Sequence, residues 1–353
     1  MVTAPQPQKE IVYRSGALGA IAQLIMMPGN RLHTLDLSGV ALCGLDPAGK
    51  PKLTGEYLSD SIELLCNAIE SENCVLKVLR LEHSKMREAE ARKIAAAVHR
   101  SLRHERPMLD ALVVEEFVIP VSTLLGYVVE PDRMVGFGKT NAPVGKSRLD
   151  CDKHVLLPTE LRVLVDLLGA NEVLEEICFT GARVRHELVW MSQTIREGRM
   201  PLVKLLLANN GISAIQGQTL VHSLQKGARQ LQVLDLSHNP ICGVEEALDG
   251  GRQEYDTRCI EALAAWLTGP CQLQELYLVD VALCGRAKDG NGMYQPGCLH
   301  VLAEKLGSER CWLRDLDLTG SAIREEETFA LGRGLVHNNG SLRELKVRAV
   351  DVA

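Results

Sequence analysis

The chain of 353 residues is longer than most single compact domains, which favours either two domains or a repeat array. Its net charge of -6, with 24% charged residues, argues against a general affinity for nucleic acid, because displacing counterions requires a basic surface. Hydrophobic residues make up 46% and aromatic residues only 4%, so aliphatic side chains and cysteine must build the core.

The N-terminal segment, residues 1–31, precedes the first repeated element and is predicted to cap it. It lacks the basic start and apolar core of a signal peptide, and its apolar stretch from Ala17 to Met27 is too short to cross a bilayer. The eleven cysteines are therefore predicted to be reduced thiols of an intracellular protein that has no membrane partner.

A strand pattern, Leu-x-x-Leu-x-Leu, can be placed on the chain nine times. Its first positions are Leu32, Leu76, Leu109, Leu174, Leu202, Leu231, Leu273, Leu313 and Leu342. Every residue at the fourth and sixth positions is apolar. The eleventh position, where a turn should return a side chain to the core, is also apolar in all nine units, from Leu42 to Val352.

A segment with helical periodicity follows each predicted strand. The first is SDSIELLCNAIES, in which Ile62, Leu65, Cys66 and Ile69 share one face. Each unit is therefore predicted to be a strand, a turn and a helix.

Two units, LVKLLLANNGIS from Leu202 and LQVLDLSHNPIC from Leu231, carry the clearest motifs. On these motifs the chain resembles the ribonuclease-inhibitor-like family of leucine-rich-repeat proteins. The resemblance implies an α/β fold in which a single solenoid spans residues 1–353. Its curved parallel sheet would lie on the concave side and its helices on the convex side.

The ninth position departs from that family, which prefers asparagine there to bond the backbone of the turn. Only Asn210 and Asn239 keep it, so the other turns must satisfy their backbone groups in another way.

Three of the longer units share an insertion, which begins at Ala41, Pro240 and Ala282. Each has Cys-Gly, then a polar glycine-rich stretch, then Tyr57, Tyr255 or Tyr294 before the helix. The recurrence indicates packed loops with a tyrosine anchor, although insertions in repeat proteins sometimes bind partners.

The 65-residue spacing between Leu109 and Leu174 is the longest, and residues 127–160 within it are predicted to be an irregular insertion with room for a degenerate tenth repeat. Its sequence GKTNAPVGKS is not a phosphate loop, because Thr140 stands where that motif requires glycine five residues before Gly145. The basic residues there would form a solvated loop or touch an acidic partner.

Catalytic, cofactor-binding and metal-binding residues are not predicted anywhere in the chain. Cys151 and His154 form one ligand-like pair, which does not complete a tetrahedral zinc site. The histidines form no paired catalytic motif, so neither a cofactor nor a small-molecule substrate is expected.

The third, fifth and seventh strand positions should point out of the concave sheet, because side chains alternate along a strand. They carry nine acidic and four basic residues, which favours a protein partner with a basic surface. Charge that merely solvates an open face is the alternative. The predicted partner-binding residues are Asp36, Glu82, Glu115, Glu176, Asp235, Glu275, Tyr277, Asp315, Asp317, Lys346 and Arg348.

The predicted function is that of a non-enzymatic protein-binding scaffold or subunit of a larger assembly, using this face and the inserted loops. The family resemblance also allows a GTPase-activating or GTPase-binding role, as in the Ran-activating relatives. A cytoplasmic location is expected from the reduced thiols, and the resemblance allows an association with the cytoskeleton or cilium.

Overall fold

The computed structural model describes residues 16–44, 59–84, 86–101, 109–124, 148–152, 154–169, 171, 174–197, 200–243, 255–286, 292–336 and 341–347. The chain forms two compact units. The first comprises Met1–Lys139 and Leu157–Leu167, and the second comprises Thr140–Leu156 and Leu168–Ala353. The prediction that one solenoid spans residues 1–353 stays a prediction.

The first unit contains a four-stranded sheet and its accompanying helices. The helices are α1 (Gly16–Met26), α2 (Asp60–Ile69), α3 (Glu88–Ser101), α4 (Val121–Leu124) and most of α5 (Pro158–Leu168). Strands β1 (Thr34–Asp36), β2 (Val78–Leu81) and β3 (Ala111–Val114) are parallel neighbours. The predicted helical face of α2 is confirmed, since Ile62, Leu65, Cys66 and Ile69 are all buried.

An antiparallel strand, β4 (Phe117–Ile119), follows β3 directly, and the repeat template does not predict it. The turn between them contains Glu115, whose φ of 50° lies in the left-handed region. All four residues of β3 are buried, so the third and fifth positions of this unit, Ala111 and Val113, do not reach solvent. The first sheet therefore lacks an open face at β3.

The second unit contains a seven-stranded sheet in which every neighbouring pair is parallel and follows chain order. The strands are β5 (Arg148–Asp150), β6 (Glu176–Cys178), β7 (Lys204–Leu206), β8 (Val233–Asp235), β9 (Glu275–Tyr277), β10 (Asp315–Asp317) and β11 (Glu344–Lys346). The helices are α6 (Leu188–Glu197), α7 (Ala214–Gly227), α8 (Arg258–Leu267), α9 (Gly297–Leu306) and α10 (Glu325–Val336). Consecutive helices from α6 to α10 pack against one another.

The repeat template describes the core. The residues at the fourth and sixth positions are buried in every unit except the one that begins at Leu342, where Leu345 and Val347 are partly exposed. The described residues at the eleventh position are also buried, although Ile119 lies in β4 and not in a turn. The chain therefore has the α/β fold of a leucine-rich-repeat solenoid.

Strand β5 lies within residues 127–160, where the sequence left room for a degenerate tenth repeat. Residues 148–150 form this strand, which pairs with β6 so that Leu149 lies beside Ile177, and α5 begins at Pro158. In that register Lys146 would occupy the first position, which explains why the apolar template passed over this repeat. Residues 127–147, with the GKTNAPVGKS sequence, lie outside the described residues.

The two ninth-position asparagines join three consecutive repeats through buried hydrogen bonds. Oδ1 of Asn239 accepts from the backbone N–H groups of Asn210 and Ile212, at 2.9 and 3.0 Å. Its Nδ2 donates to the carbonyls of Leu207, Leu236 and Ser237. Asn210 bonds the repeat before it in the same way, with Oδ1 accepting from Val184. Each asparagine thus replaces backbone partners that a tight turn cannot supply.

The Cys-Gly insertions share a neck, by which we mean the Cys-Gly pair at one end and the residue after the tyrosine at the other. Gly44, Gly243 and Gly285 have φ between 72° and 77°, a region that glycine enters without steric cost. In the two insertions whose far ends are described, the cysteine carbonyl accepts a hydrogen bond from the residue that follows the tyrosine. The two bonds run from Asp256 to Cys242 and from Gln295 to Cys284, at 3.0 and 2.7 Å.

Tyr255 is an anchor, as predicted. Its hydroxyl donates to the carbonyl of Leu283 at 2.7 Å and accepts from the N–H of Cys298 at 2.6 Å, so it joins its own repeat to the next. The ring of Tyr294 instead lies 3.6 Å from the guanidinium of Arg324, and Tyr57 lies outside the described residues.

Candidate functional site

The structure separates the predicted partner-binding residues into four groups. Those that lie at outward strand positions and reach solvent are Asp36, Glu176, Asp235, Glu275, Tyr277, Asp315, Asp317 and Lys346. Glu82 is partly exposed and follows β2. Arg348 lies outside the described residues. Glu115 alone is buried.

Glu115 requires a correction, because it is only 6% exposed in the hairpin turn after β3. Its Oε2 accepts a hydrogen bond from the backbone N–H of His83 at 3.2 Å. The prediction assumed a strand with an open face, whereas β4 folds back on β3. Glu115 is therefore a structural residue and not a contact for a partner.

In the first unit the acidic residues of the predicted face share one arginine. The guanidinium of Arg80 lies 2.6 Å from Glu82 and 3.7 Å from Asp36. The pKa of Asp36 is lowered, mainly by hydrogen bonds from Ser38 and also by the charge of Arg80. These carboxylates are neutralised within the fold, so their attraction for a basic partner is reduced.

The start of the second sheet is also internally paired. Arg148, which belongs to the repeat that the template missed, lies 2.8 Å from Asp150 and 3.9 Å from Glu176. At the other end of the sheet, Lys346 lies 3.4 Å from Glu344. Two of the predicted contact residues, Glu176 and Lys346, thus have partners of opposite charge nearby.

Strands β8 to β10 differ from both ends of the sheet. The strand register places Val233, Glu275 and Asp315 side by side at the third position. At the fifth position it places Asp235, Tyr277 and Asp317 side by side. We call Asp235, Glu275, Tyr277, Asp315 and Asp317 the acidic strip; it contains four carboxylates and no cation.

Hydrogen bonds orient several members of the acidic strip. Oδ1 of Asp235 and Oδ1 of Asp317 each accept the backbone N–H two residues later, at 2.9 and 3.0 Å. The hydroxyl of Tyr277 donates to Glu275 at 2.9 Å. Among the described residues, none of the four carboxylates forms an ion pair, and Asp315 has neither an ion pair nor a side-chain hydrogen bond.

The pKa of Tyr277 is raised by burial and by the negative charge around it. Burial raises its pKa to about 12, with further contributions from its hydrogen bond to Glu275 and from the charges of Glu275, Asp315 and Asp235. The phenol therefore keeps its proton at neutral pH and remains a donor to Glu275. A negative field around an aromatic ring is suited to holding an ammonium or guanidinium group.

The described parts of the chain contain neither a group of metal ligands nor a membrane-spanning helix. No group of three or more His, Cys, Asp or Glu side chains there could hold a metal ion. Cys151 is buried, and its carbonyl accepts the backbone N–H of His154 at 3.1 Å, which makes this pair part of a turn. None of the described helices is long and apolar enough to cross a membrane.

Comparison with known proteins supports the repeat at the centre of the second unit. The Leucine Rich Repeat family model matches residues 230–249, which include β8. A search of curated proteins finds no match. Among solved structures, the chain is similar to the tropomodulin C-terminal domain of Caenorhabditis elegans. The identity is 12% and the TM-score 0.32, over 46% of this chain and 83% of that one.

Proposed function

We propose that this protein is a non-enzymatic scaffold, or a subunit of a larger assembly, whose acidic strip binds a basic segment of a protein partner. The observation that carries this proposal is the group of four carboxylates without a described cation around Tyr277. A leucine-rich-repeat fold supports protein binding in general, because its parallel strands present an extended surface.

The acidic strip differs from the other acidic residues of the two sheets, and this difference argues against carboxylates that only keep the sheet soluble. Asp36, Glu82, Asp150 and Glu176 each lie near an arginine of their own sheet. Glu275 and Asp315, by comparison, are lateral neighbours of like charge. Such pairs destabilise a sheet, so an incoming cation accounts for their arrangement better than solubility does.

The geometry favours arginine or lysine side chains as the groups that are bound. Neighbouring strands lie about 4.8 Å apart, so the side chains of Glu275 and Asp315 start close enough for one guanidinium to reach both carboxylates. The ring of Tyr277 lies between Asp235 and Asp317 in the register and can stack with the same cation.

Asp315→Asn separates binding from structural roles. Because Asp315 has no described partner, removing its charge should relieve repulsion by Glu275 and stabilise the free protein by about 0.2–1 kcal/mol. The same change should weaken binding of a fluorescein-labelled Arg-rich peptide. Chemical denaturation and fluorescence anisotropy measure the two effects. Loss of stability together with unchanged peptide affinity would contradict the proposal.

A fourfold neutralisation tests the whole strip. The variant carries Asp235→Asn, Glu275→Gln, Asp315→Asn and Asp317→Asn, and peptide affinity should fall at least about tenfold. The matched control neutralises four exposed helical carboxylates, Glu197, Glu304, Glu325 and Glu326, with the same total change in charge. If both variants lose affinity equally, the peptide responds to net charge and the strip is not a site.

The GTPase-directed role remains the alternative proposal. It requires that the full chain accelerate GTP hydrolysis by a small GTPase, or bind one, in a panel assay.

We also propose a cytoplasmic location. Cell fractionation tests whether the protein associates with the cytoskeleton or cilium. All eleven cysteines are free thiols and ten are buried, which is in keeping with a reducing compartment.

A further inference from the structure

A second surface of the larger unit has the opposite charge. A cavity of about 480 Å³ lies at the beginning of strands β9 to β11, and its walls include Gln274, Trp312, Arg314 and Arg343. None of these residues belongs to the acidic strip.

The cavity is built by the repeat itself. Gln274, Arg314 and Arg343 occupy the second position of three consecutive repeats. The backbone N–H of Arg314 donates to the carbonyl of Gln274, and that of Arg343 donates to the carbonyl of Arg314, both at 2.7 Å. The two arginines therefore start from adjacent strands about 4.8 Å apart. On the wall beside them, the hydroxyl of Ser341 donates to the carbonyl of Cys311 at 2.8 Å.

The cavity exposes a tryptophan beside two available cations. Trp312 is 60% exposed, whereas Trp266 in α8 is 4% exposed. Arg314 and Arg343 are exposed, and neither forms an ion pair with any carboxylate that the structure describes. Tryptophan and arginine are the residues most enriched where protein partners bind tightly.

We propose that this cavity binds an acidic peptide segment of a protein partner. Carboxylates of the segment would bond to the guanidinium groups of Arg314 and Arg343, and a neighbouring apolar side chain would pack on the indole of Trp312. The amide side chain of Gln274 can bond to the peptide backbone. This site does not depend on the acidic strip, and a chain with both could hold segments of opposite charge.

A peptide carboxylate fits the cavity better than a free phosphate does. Phosphate sites commonly use backbone N–H groups from a nest or a helix N-terminus. Here the N–H groups of Arg314 and Arg343 are already bonded to neighbouring strands. The side chains of the cavity must therefore recognise the bound anion. The exposed indole adds apolar contact area that inorganic phosphate cannot use.

The test titrates the full chain into a fluorescein-labelled peptide in which glutamate and leucine alternate, followed by fluorescence anisotropy. Arg314→Ala combined with Arg343→Ala should raise Kd at least about tenfold, and Trp312→Ala should do the same. Arg229→Ala combined with Lys226→Ala is the matched control, because it removes the same charge and both residues are exposed, have no described ion pair and lie outside the cavity. It should leave Kd within about twofold.

Three results would overturn the proposal. The first is no binding of this peptide by the wild-type chain. The second is an equal loss of affinity with the Lys226→Ala and Arg229→Ala control, which would show a response to net charge alone. The third is complete displacement of the peptide by inorganic phosphate together with unchanged affinity in Trp312→Ala, which would assign the cavity to small anions. Melting curves of each variant exclude unfolding as the cause, since the three altered side chains are exposed.

Discussion

Asn239→Ala is expected to destabilise the protein by about 3–5 kcal/mol, because five buried hydrogen bonds to backbone groups would be lost at once. Alanine removes the acceptor of two buried N–H groups, those of Asn210 and Ile212. The carbonyls of Leu207 and Ser237 keep their bonds from the Asn210 side chain and the Asn209 backbone. Urea denaturation followed by circular dichroism measures the change. A loss of less than about 1 kcal/mol would mean that the turn rebuilds its bonds in another way.

Ser321→Ala is the matched control for that change. Ser321 occupies the same ninth position in a later repeat and is fully buried, but its hydroxyl has no hydrogen-bond partner. Its removal should therefore be neutral or slightly stabilising, since a buried unsatisfied hydroxyl costs free energy. The pair of variants distinguishes the bonds of asparagine from the mere presence of a polar group at this position.

Gly227→Ala is expected to cost about 3 kcal/mol or more, because a methyl group would overlap the backbone of the preceding helix. An added Cβ would lie 1.8 Å from the carbonyl oxygen of Ile195, so α6 and α7 would have to separate. Thermal unfolding should show a clear fall in Tm relative to the wild-type chain.

The same substitution in α10 should have the opposite sign. A Cβ on Gly332 would meet nothing within 4 Å, so Gly332→Ala should stabilise the helix by about 0.5–1 kcal/mol through reduced backbone entropy. If Gly227→Ala stabilises the protein as Gly332→Ala does, helix propensity and not close approach controls the effect at Gly227.

Much of the fold could be predicted because apolar residues recur at fixed positions of each repeat and form the core. The fourth and sixth positions need only be apolar, and they are buried wherever a neighbouring repeat covers them. Strand β5 shows the limit of that rule. Leu149, Cys151 and Leu156 match the fourth, sixth and eleventh positions and are buried, but Lys146 breaks the pattern at its first position.

A further signal lay at the eighth position, where the backbone turns left-handed. The residues there are Gly39, His83, Gly181, Asn209, His238, Asp280 and Gly320, with φ between 53° and 82°. These are the residue types that tolerate such a conformation best. Reading the eighth position would have provided a test of each turn that does not depend on hydrophobicity.

The candidate site was less predictable, because outward direction alone does not determine what a carboxylate can bind. Alternation along the strand correctly placed Asp235, Glu275, Asp315 and Asp317 toward solvent. That Arg80 neutralises Asp36 follows from the register between β1 and β2, which no single strand encodes. The burial of Glu115 follows from the hairpin.

The neck of the Cys-Gly insertions bears on how this protein can acquire new specificities. The carbonyl of Cys242 bonds to the N–H of Asp256, and Tyr255 fastens that end to the following repeat. These bonds hold the two ends of the insertion, so the stacking of the repeats can be maintained when the sequence between the ends is exchanged. In general, doubling the length of a flexible loop costs only about 0.6 kcal/mol in closure entropy. Gly243 and Tyr255 are consequently natural grafting points, between which a foreign peptide sequence can be inserted into an unaltered scaffold.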